Sequence, residues 1–147
     1  MPVLVRPATP DDADAMRRVY LAAGREAWAH FLPAEQVGAS GTAFSGDRGF
    51  VAEEDGEVVG FAWLRESELD TLYTDPRVWG RGAGRALMDA ALAGLPEATL
   101  WTAEQNTRAR RVYERYGWRP DGGRREKAYA GVTFTELRYR IAPEEPR

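Results

Sequence analysis

The sequence predicts a mixed α/β chain of the α+β kind, in which helices flank one sheet. Three strand-like segments follow one another in the first half with no helix between them, and strands alternate with helices in the second half. Asp55-Gly56 joins two of the three segments, and this dipeptide is the strongest short signal for a β-hairpin. The three successive strands exclude a simple doubly wound fold.

The composition is that of an ordinary globular protein. The 147 residues suit one domain, which we place at residues 1–141, with a short tail at 142–147. The absence of cysteine excludes disulfides, thiolate zinc sites and a cysteine nucleophile. A net charge of −3 disfavours nucleic acid as a partner, and the lack of a ~20-residue apolar run or a signal-peptide core disfavours a membrane. We therefore expect a cytoplasmic protein.

The first half of the chain predicts a strand at residues 3–6, two helical segments and a loop. Thr9 caps the first helix, and apolar residues at helical spacing form its buried stripe: Met16, Val19, Tyr20 and Ala23. Gly24 weakens or ends this helix. Residues 25–32 are therefore predicted as a second helical segment, and residues 38–49 as a loop.

The remaining elements are predicted in this order: strands at 50–54, 57–64 and 68–74, a glycine-rich turn at 80–84, a helix, a strand at 99–103, a second helix, and strands at 126–129 and 133–141. The first of these helices has one apolar face, made of Leu87, Met88, Ala91, Leu92 and Leu95. Asn106 or Thr107 caps the second helix, and Gly117 suits the position just after its end.

The glycine-rich turn is the most informative segment, because Gly80, Gly82 and Gly84 alternate at a strand-to-helix junction. Glycine permits close backbone approach, and the unpaired N–H groups at a helix start attract phosphate oxygens. Arg81 and Arg85 add positive charge. The spacing matches neither the dinucleotide fingerprint nor the Walker loop, which disfavours a nucleotide-binding module. The alternative is that these glycines only form a tight turn.

Two motifs carry a resemblance to a known family. The first is Gln/Arg-x-x-Gly-x-Gly/Ala, in which Gly82 and Gly84 match the small positions and Trp79 departs from the first position; Arg77 would fit a shifted register with Gly80 and Gly82. The second is Asn106-x-x-Ala109-x-x-x-Tyr113-x-x-x-Gly117-Trp118, and the opening segment 5–12 is also typical. On these motifs the chain resembles the GCN5-related N-acetyltransferases, the GNAT family, over nearly its whole length.

The resemblance implies a strongly bent mixed sheet whose fourth and fifth strands splay apart, with acetyl-CoA as co-substrate. The pantetheine would lie between the two strands, the pyrophosphate on the glycine turn, and the cofactor arm against Asn106. The expected cofactor-binding residues are Leu72, Tyr73, Thr74, Gly80, Arg81, Gly82, Ala83, Gly84, Arg85 and Asn106.

Acetyl transfer to an amine needs a proton acceptor, an oxyanion donor and a proton for the leaving thiolate. The resemblance places Tyr113 near the cofactor sulfur as the acid, although its position on an apolar stripe also fits a packed tyrosine. Glu68, Asp70 and Glu104 are candidate bases, directly or through water, and each also fits a solvated surface carboxylate. Trp101 stands where some family members that acetylate protein N-termini have a glutamate.

The acceptor side is predicted to include Trp28, His30, Phe31 and Asp70, although a lone histidine also fits a structural role and the aromatic residues also fit a core. By period-two alternation Asp70 shares a face with Glu68, and with Glu104 the two are expected to form an acidic mouth that favours a cationic amine. The predicted function is an acetyl-CoA-dependent N-acetyltransferase acting on a primary amine of a small molecule or protein. The alternative is a catalytically inactive domain that binds coenzyme A as a sensor. No metal is expected, and a homodimer is left open.

Overall fold

The computed structural model describes residues 3–28, 48–129 and 131–142, and within them one sheet of seven strands in the order β1-β2-β3-β4-β5-β7-β6. The strands are β1 (Leu4–Pro7), β2 (Arg48–Glu54), β3 (Glu57–Arg65), β4 (Glu68–Thr74), β5 (Ala98–Ala103), β6 (Arg119–Tyr129) and β7 (Val132–Ile141). Neighbours are antiparallel except β4 and β5, which run parallel. The predicted mixed sheet is confirmed.

Helices cover both faces of this sheet. Helix α1 (Ala13–Trp28) packs Met16 and Val19 against Val51 and Phe61, which confirms the predicted stripe. Helix α2 (Ala83–Leu92) packs on the alternate strand residues, such as Ala62, and helix α3 (Thr107–Tyr116) contributes partly buried side chains to the same core. Because successive strand residues point to opposite faces, α1 lies on one side of the sheet and α2 and α3 on the other.

The two parallel strands separate almost at once, as the resemblance implied. They pair only where Glu68 lies opposite Thr99, whose N–H donates to the Ser67 carbonyl oxygen at 3.0 Å. The register of β4 against β3 shifts between Leu69 and Thr71, so Asp70 is a bulged residue. Beyond this point the two strands diverge and open a gap in the middle of the sheet.

Two element predictions were wrong. Helix α1 continues through Gly24 to Trp28, because burying the apolar stripe outweighs the roughly 1 kcal/mol that one glycine costs. The predicted second segment, 25–32, therefore begins inside α1, and its last four residues lie outside the described ones. Strand β6 begins at Arg119 rather than 126, since Gly122 adopts a φ of 92° in a bulge that keeps the strand paired with β7.

The hairpin prediction is confirmed in detail. Asp55 and Gly56 have φ values of 55° and 77°, the left-handed pair that a two-residue type I′ turn requires. Among the helices in the described ranges, none has the length and apolar character needed to cross a bilayer.

Candidate functional site

A cavity of about 460 Å³ lies where β4 and β5 separate. Both strands, the start of α2 and one face of α3 form its walls, and Ala23 of α1 reaches it from the other side of the sheet. Most of the predicted cofactor residues line this cavity: Leu72, Tyr73, Thr74, Gly80, Gly82, Ala83, Gly84, Arg85 and Asn106. Arg81 is not among the lining residues, and its guanidinium pairs with Glu54 at 2.8 Å.

The backbone of β4 offers free hydrogen-bonding groups to the cavity. The Asp75 N–H donates to the Val59 carbonyl at 2.8 Å, so alternation along this antiparallel pair turns the amide groups of Tyr73 towards β3. The amide groups of Leu72 and Thr74 then point towards β5, which has already diverged. An extended ligand arm can therefore pair with β4 in place of the missing strand.

The glycine turn keeps its backbone open to a ligand. Gly80 and Gly82 have φ values of 82° and 94°, and a Cβ at either position would meet no atom within 4 Å. Gly84 lies in the first turn of α2, 4.0 Å from Thr74 Cγ2 if it carried a Cβ. The first helical bond runs from the Ala86 N–H to the Gly82 carbonyl, at 3.0 Å. The N–H groups before Ala86 therefore have no partner inside the helix and suit an anion.

Trp79, which precedes this turn, is fixed at both ends. Its Nε1 donates to the Thr74 carbonyl at 3.0 Å, and the guanidinium of Arg108 from α3 lies over its ring at 3.4 Å from the centroid. Both residues line the cavity. The indole therefore serves as a platform for a cation.

Three arginines line the cavity at the end formed by α2 and α3. Arg85 lies over the Tyr116 ring at 5.4 Å and Arg108 over the Trp79 ring, and all three arginines are exposed to solvent. Within the described part of the chain, none of the three forms an ion pair with an acidic residue. Partial burial, with repulsion from Arg115, lowers the pKa of the Arg108 guanidinium, which still stays charged at neutral pH. This end of the cavity suits a polyanion.

Asn106 caps α3, as predicted, and retains a free donor. Its Oδ1 accepts a hydrogen bond from the Ala109 N–H at 3.1 Å, and the residue is buried at the cavity wall. No described residue accepts a hydrogen bond from its Nδ2. The side chain thus holds the helix start with one atom and can meet a ligand with the other.

Tyr113 lines the cavity and packs against Trp118 and Tyr139, with ring centroids 6.3 and 6.4 Å away. Burial raises the pKa of its hydroxyl to about 12, against a smaller opposing effect from the nearby charge of Arg108. In the described ranges its hydroxyl has no hydrogen-bond partner. A protonated phenol at a cavity wall can donate to a ligand atom.

The carboxylates that line the cavity differ in part from the predicted ones. Asp70 lines it, but Glu68 lies at the closed end opposite Thr99, and the bulge breaks the alternation that was expected to place the two on one face. Glu104 is also absent from the lining and pairs with Arg124 at 3.3 Å. The structure therefore does not assemble the predicted acidic mouth of Glu68, Asp70 and Glu104.

Glu136 is the acidic residue that the sequence did not single out. It lies on β7 opposite Ala103, lines the cavity, and pairs with Arg125 at 2.8 Å with 14% of its side chain exposed. Glu136 reaches the cavity because β7 pairs with β5 in the register that sets it opposite Ala103. That register cannot be read from a single sequence.

Trp101 of β5 lies in the cavity wall between charged neighbours. The guanidinium groups of Arg125 and Arg138 lie 4.2 and 5.6 Å from its ring centroid. The predicted acceptor residues His30 and Phe31 lie outside the described residues, as does the side chain of Trp28 at the end of α1. Of the four residues predicted for the acceptor side, Asp70 is therefore the one that the structure describes at the cavity, and Trp101 and Glu136 line the same cavity.

Comparisons with known proteins agree with this architecture. The sequence model of the Acetyltransferase (GNAT) family matches residues 13–118, so the chain belongs to that family, whose members use acetyl-CoA. It is 36% identical over 124 residues to a mycothiol acetyltransferase of Acidimicrobium ferrooxidans, and 39% identical over 72 residues to the peptidyl-lysine N-acetyltransferase YjaB of Salmonella typhimurium.

These matches cover 74% and 49% of this chain, but only 35% and 49% of the two relatives. The chain thus matches half or less of the length of these curated relatives. The solution structure of apo-form YjaB from Escherichia coli superposes with a TM-score of 0.78 at 26% identity, over 95% of this chain and 97% of that one.

Proposed function

We propose that this protein is an acetyl-CoA-dependent N-acetyltransferase that acts on a primary amine of a small molecule or protein. The observation that carries the proposal is the cavity between the splayed β4 and β5. It joins the open glycine turn to the Tyr113 hydroxyl, which has no hydrogen-bond partner among the described residues. One continuous space thus offers an anion site, a free strand edge and a proton donor.

The cofactor would bind along these three features. Its pyrophosphate would rest on the N–H groups from Gly82 to Arg85, and its pantetheine would pair with the Leu72 amide and the Thr74 N–H. The Thr74 carbonyl already accepts from Trp79, so it is not available to the arm. The Asn106 Nδ2 would meet the arm from the α3 side.

The chemistry would proceed by direct attack. The amine nitrogen attacks the acetyl carbonyl carbon, a β4 N–H stabilises the oxyanion, and the C–S bond then breaks. Tyr113 gives its proton to the departing thiolate and regains one from solvent. Its raised pKa keeps the phenol protonated at neutral pH, so it enters each cycle as an acid.

The proton lost by the attacking amine needs an acceptor. Glu68, Asp70 and Glu104 were predicted from the sequence, and of these Glu68 and Glu104 remain candidates that act only through water, because neither lines the cavity. Asp70 and Glu136 line it and are better placed to meet an ammonium group. The names of the two relatives suggest acceptors to test first: a peptidyl lysine and a mycothiol-type substrate.

The test is to follow free thiol release from acetyl-CoA over a panel of amines. The panel contains lysine peptides, a mycothiol-type amine, polyamines, amino acids and aminoglycosides. Amine-dependent thiol release that disappears without the acceptor supports the proposal. Tight coenzyme A binding with no release for any acceptor would favour the sensor alternative, and no binding at all would reject both.

A further inference from the structure

The three arginines at the cofactor end of the cavity are held differently. Arg85 lies over Tyr116 at 5.4 Å, whereas Arg108 lies at 3.4 Å over Trp79. Burial also lowers the pKa of the Arg108 guanidinium. A flexible side chain has therefore been fixed in one place at the cavity wall.

Trp79 can fix it because the indole itself cannot rotate freely. Its Nε1–H···O bond to Thr74 anchors the ring to the end of β4, next to the glycine turn. Stacking uses the flat face of the guanidinium, so the N–H groups at its edge remain available to donate hydrogen bonds. No described acidic side chain or carbonyl takes those donors. The result is a pre-oriented cation with free donors beside an anion-binding turn.

We infer that Arg108, held on the Trp79 ring, is a phosphate-binding residue of the coenzyme A site, with Trp79 as its positioning residue. The inference rests on the proposed function. An arginine edge matches two oxygens of a phosphate, and a pre-oriented one loses less entropy on binding than a free side chain. Coenzyme A offers such oxygens at its pyrophosphate and at its 3′-phosphate, and the two sources are separable by experiment.

The experiment is calorimetric titration of the full chain with coenzyme A and with dephospho-coenzyme A, which lacks the 3′-phosphate. The variants are Arg108→Ala and Arg108→Lys, with Arg111→Ala as the matched control. Arg111 lies on the same helix, is exposed and does not line the cavity, and its replacement by alanine removes the same charge. Circular dichroism and the melting temperature check the fold of each variant.

Arg108→Ala is expected to raise the dissociation constant for coenzyme A roughly 10- to 100-fold, the usual loss for a charge-assisted hydrogen bond. Equal losses for both ligands place the contact at the pyrophosphate, and a loss confined to coenzyme A places it at the 3′-phosphate. Arg108→Lys should recover only part of the loss, because an ammonium does not stack as a flat guanidinium does.

Three results would overturn the inference. If Arg108→Ala binds both ligands like the wild type, the residue makes no phosphate contact, and the proposed function stands. If Arg111→Ala weakens binding equally, the effect is one of net charge only. If the wild-type chain binds neither ligand, the proposed function fails first and the inference with it.

The positioning role of Trp79 has its own test in a double-mutant cycle. Trp79→Phe keeps an aromatic face and Trp79→Leu removes it. In the Leu background, the further change Arg108→Ala should cost much less than it does in the wild type, because the arginine is no longer held. In the Phe background the cost should be intermediate, because the aromatic face remains but the hydrogen bond that anchors it to Thr74 is lost. Additive losses in both backgrounds would show that Trp79 does not position Arg108.

Discussion

Two tyrosines of the same core differ in whether the structure shows a hydrogen-bond partner for the hydroxyl group. The Tyr139 hydroxyl donates to Glu114 at 2.6 Å and accepts from Arg110 at 3.0 Å, while the Tyr113 hydroxyl faces the cavity without a described partner. We expect Tyr113→Phe to lower kcat by roughly 10- to 10³-fold at nearly unchanged stability, because it removes a proton donor and no hydrogen bond to any described residue. Steady-state kinetics with a reactive amine, together with thermal melts, measure both effects.

Tyr139→Phe is the control for this prediction. It removes two hydrogen bonds from a fully buried residue that is not part of the cavity lining, so the melting temperature should fall while the chemical step stays close to wild type. Since the pKa of Tyr113 is raised to about 12, its deprotonation should not reduce kcat below about pH 10. Full turnover of Tyr113→Phe when chemistry is rate-limiting would assign the tyrosine to packing.

Glu136 gives a second prediction at the scale of one residue. Glu136→Gln keeps the shape of the side chain and removes its charge, so kcat/KM for a cationic amine should fall about 10-fold or more. Glu104→Gln is the comparison, because Glu104 pairs with Arg124 and does not line the cavity. If kcat/KM falls more in Glu104→Gln than in Glu136→Gln, then Glu104, the residue predicted from the sequence, is the one that meets the amine.

The start of α2 gives a test of the anion site that separates binding from folding. Gly82 is unsuitable because its φ of 94° would strain any side chain, whereas a Cβ at Gly84 meets only Thr74 Cγ2, at 4.0 Å. Gly84→Asp places a negative charge in the first helical turn, which favours the helix and repels phosphate. We expect unchanged or higher stability and at least a roughly 10-fold weaker affinity for coenzyme A.

Gly84→Ala is the matched control for this change, since the family pattern accepts either residue at that position. Its affinity for coenzyme A should stay within about two-fold of wild type. Equal affinity of Gly84→Asp and wild type in a titration would show that the phosphates do not rest on this helix start.

The junction of β1, β2 and α1 predicts a pH dependence of stability. Arg6 pairs with Asp12 at 2.9 Å and with Glu53 at 2.8 Å, and the hydrogen bond from Arg6 lowers the pKa of Asp12 to about 2 from 3.8, outweighing the effect of burial. The stabilisation is therefore complete above about pH 4 and is lost as the pH falls towards 2. Asp12→Asn should lower the free energy of unfolding by about 2 kcal/mol at pH 7. It should also make that free energy depend less on pH between about 4 and 2.

Asp11→Asn is the control, because Asp11 is exposed in the same turn. It should leave the free energy of unfolding and its pH dependence nearly unchanged in urea titrations at pH 7, 4 and 2.5. If the free energy of unfolding of Asp12→Asn falls between pH 4 and 2.5 as it does in the wild type, the Arg6–Asp12 pair is not the cause of the pH dependence.

Local sequence signals predicted the elements well where a short-range rule decides the structure. Asp55-Gly56 fixed the hairpin, and the Asn106 cap and Gly117 bounded α3 as expected. The misses came from long-range burial and pairing: α1 ran through Gly24 because its stripe is buried, and β6 began early because pairing with β7 continues past a glycine bulge. Neither effect can be read from neighbouring residues alone.

At the scale of the whole molecule, the site residues also divide into those that a local sequence signal predicts and those that depend on long-range strand pairing. The cofactor half comes from one contiguous turn and one helix motif, and of its predicted residues Arg81 alone is not in the cavity lining. The acceptor half comes from β4, β5 and β7, whose relative register the sequence does not state. The Asp70 bulge and the pairing of Ala103 with Glu136 therefore replaced the expected acidic mouth with a different pair of carboxylates.

The charges that line the cavity are segregated along it, and this gives the last prediction. Arg85, Arg108 and Arg115 lie at the α2–α3 end, while Asp70 and Glu136 lie on the strands. An acidic wall raises the local concentration of a cationic acceptor, and salt screens the effect over about 10 Å at 0.1 M. At saturating acetyl-CoA, kcat/KM should therefore fall more steeply with ionic strength for a diamine than for an acceptor of no net charge. Initial rates from 0.02 to 0.5 M salt, with both acceptors matched in amine pKa, measure the difference. Equal slopes would show that the acidic wall does not attract the acceptor. A panel in which amines bearing a carboxylate are the best acceptors would instead favour control by Arg125 and Arg138 beside Trp101.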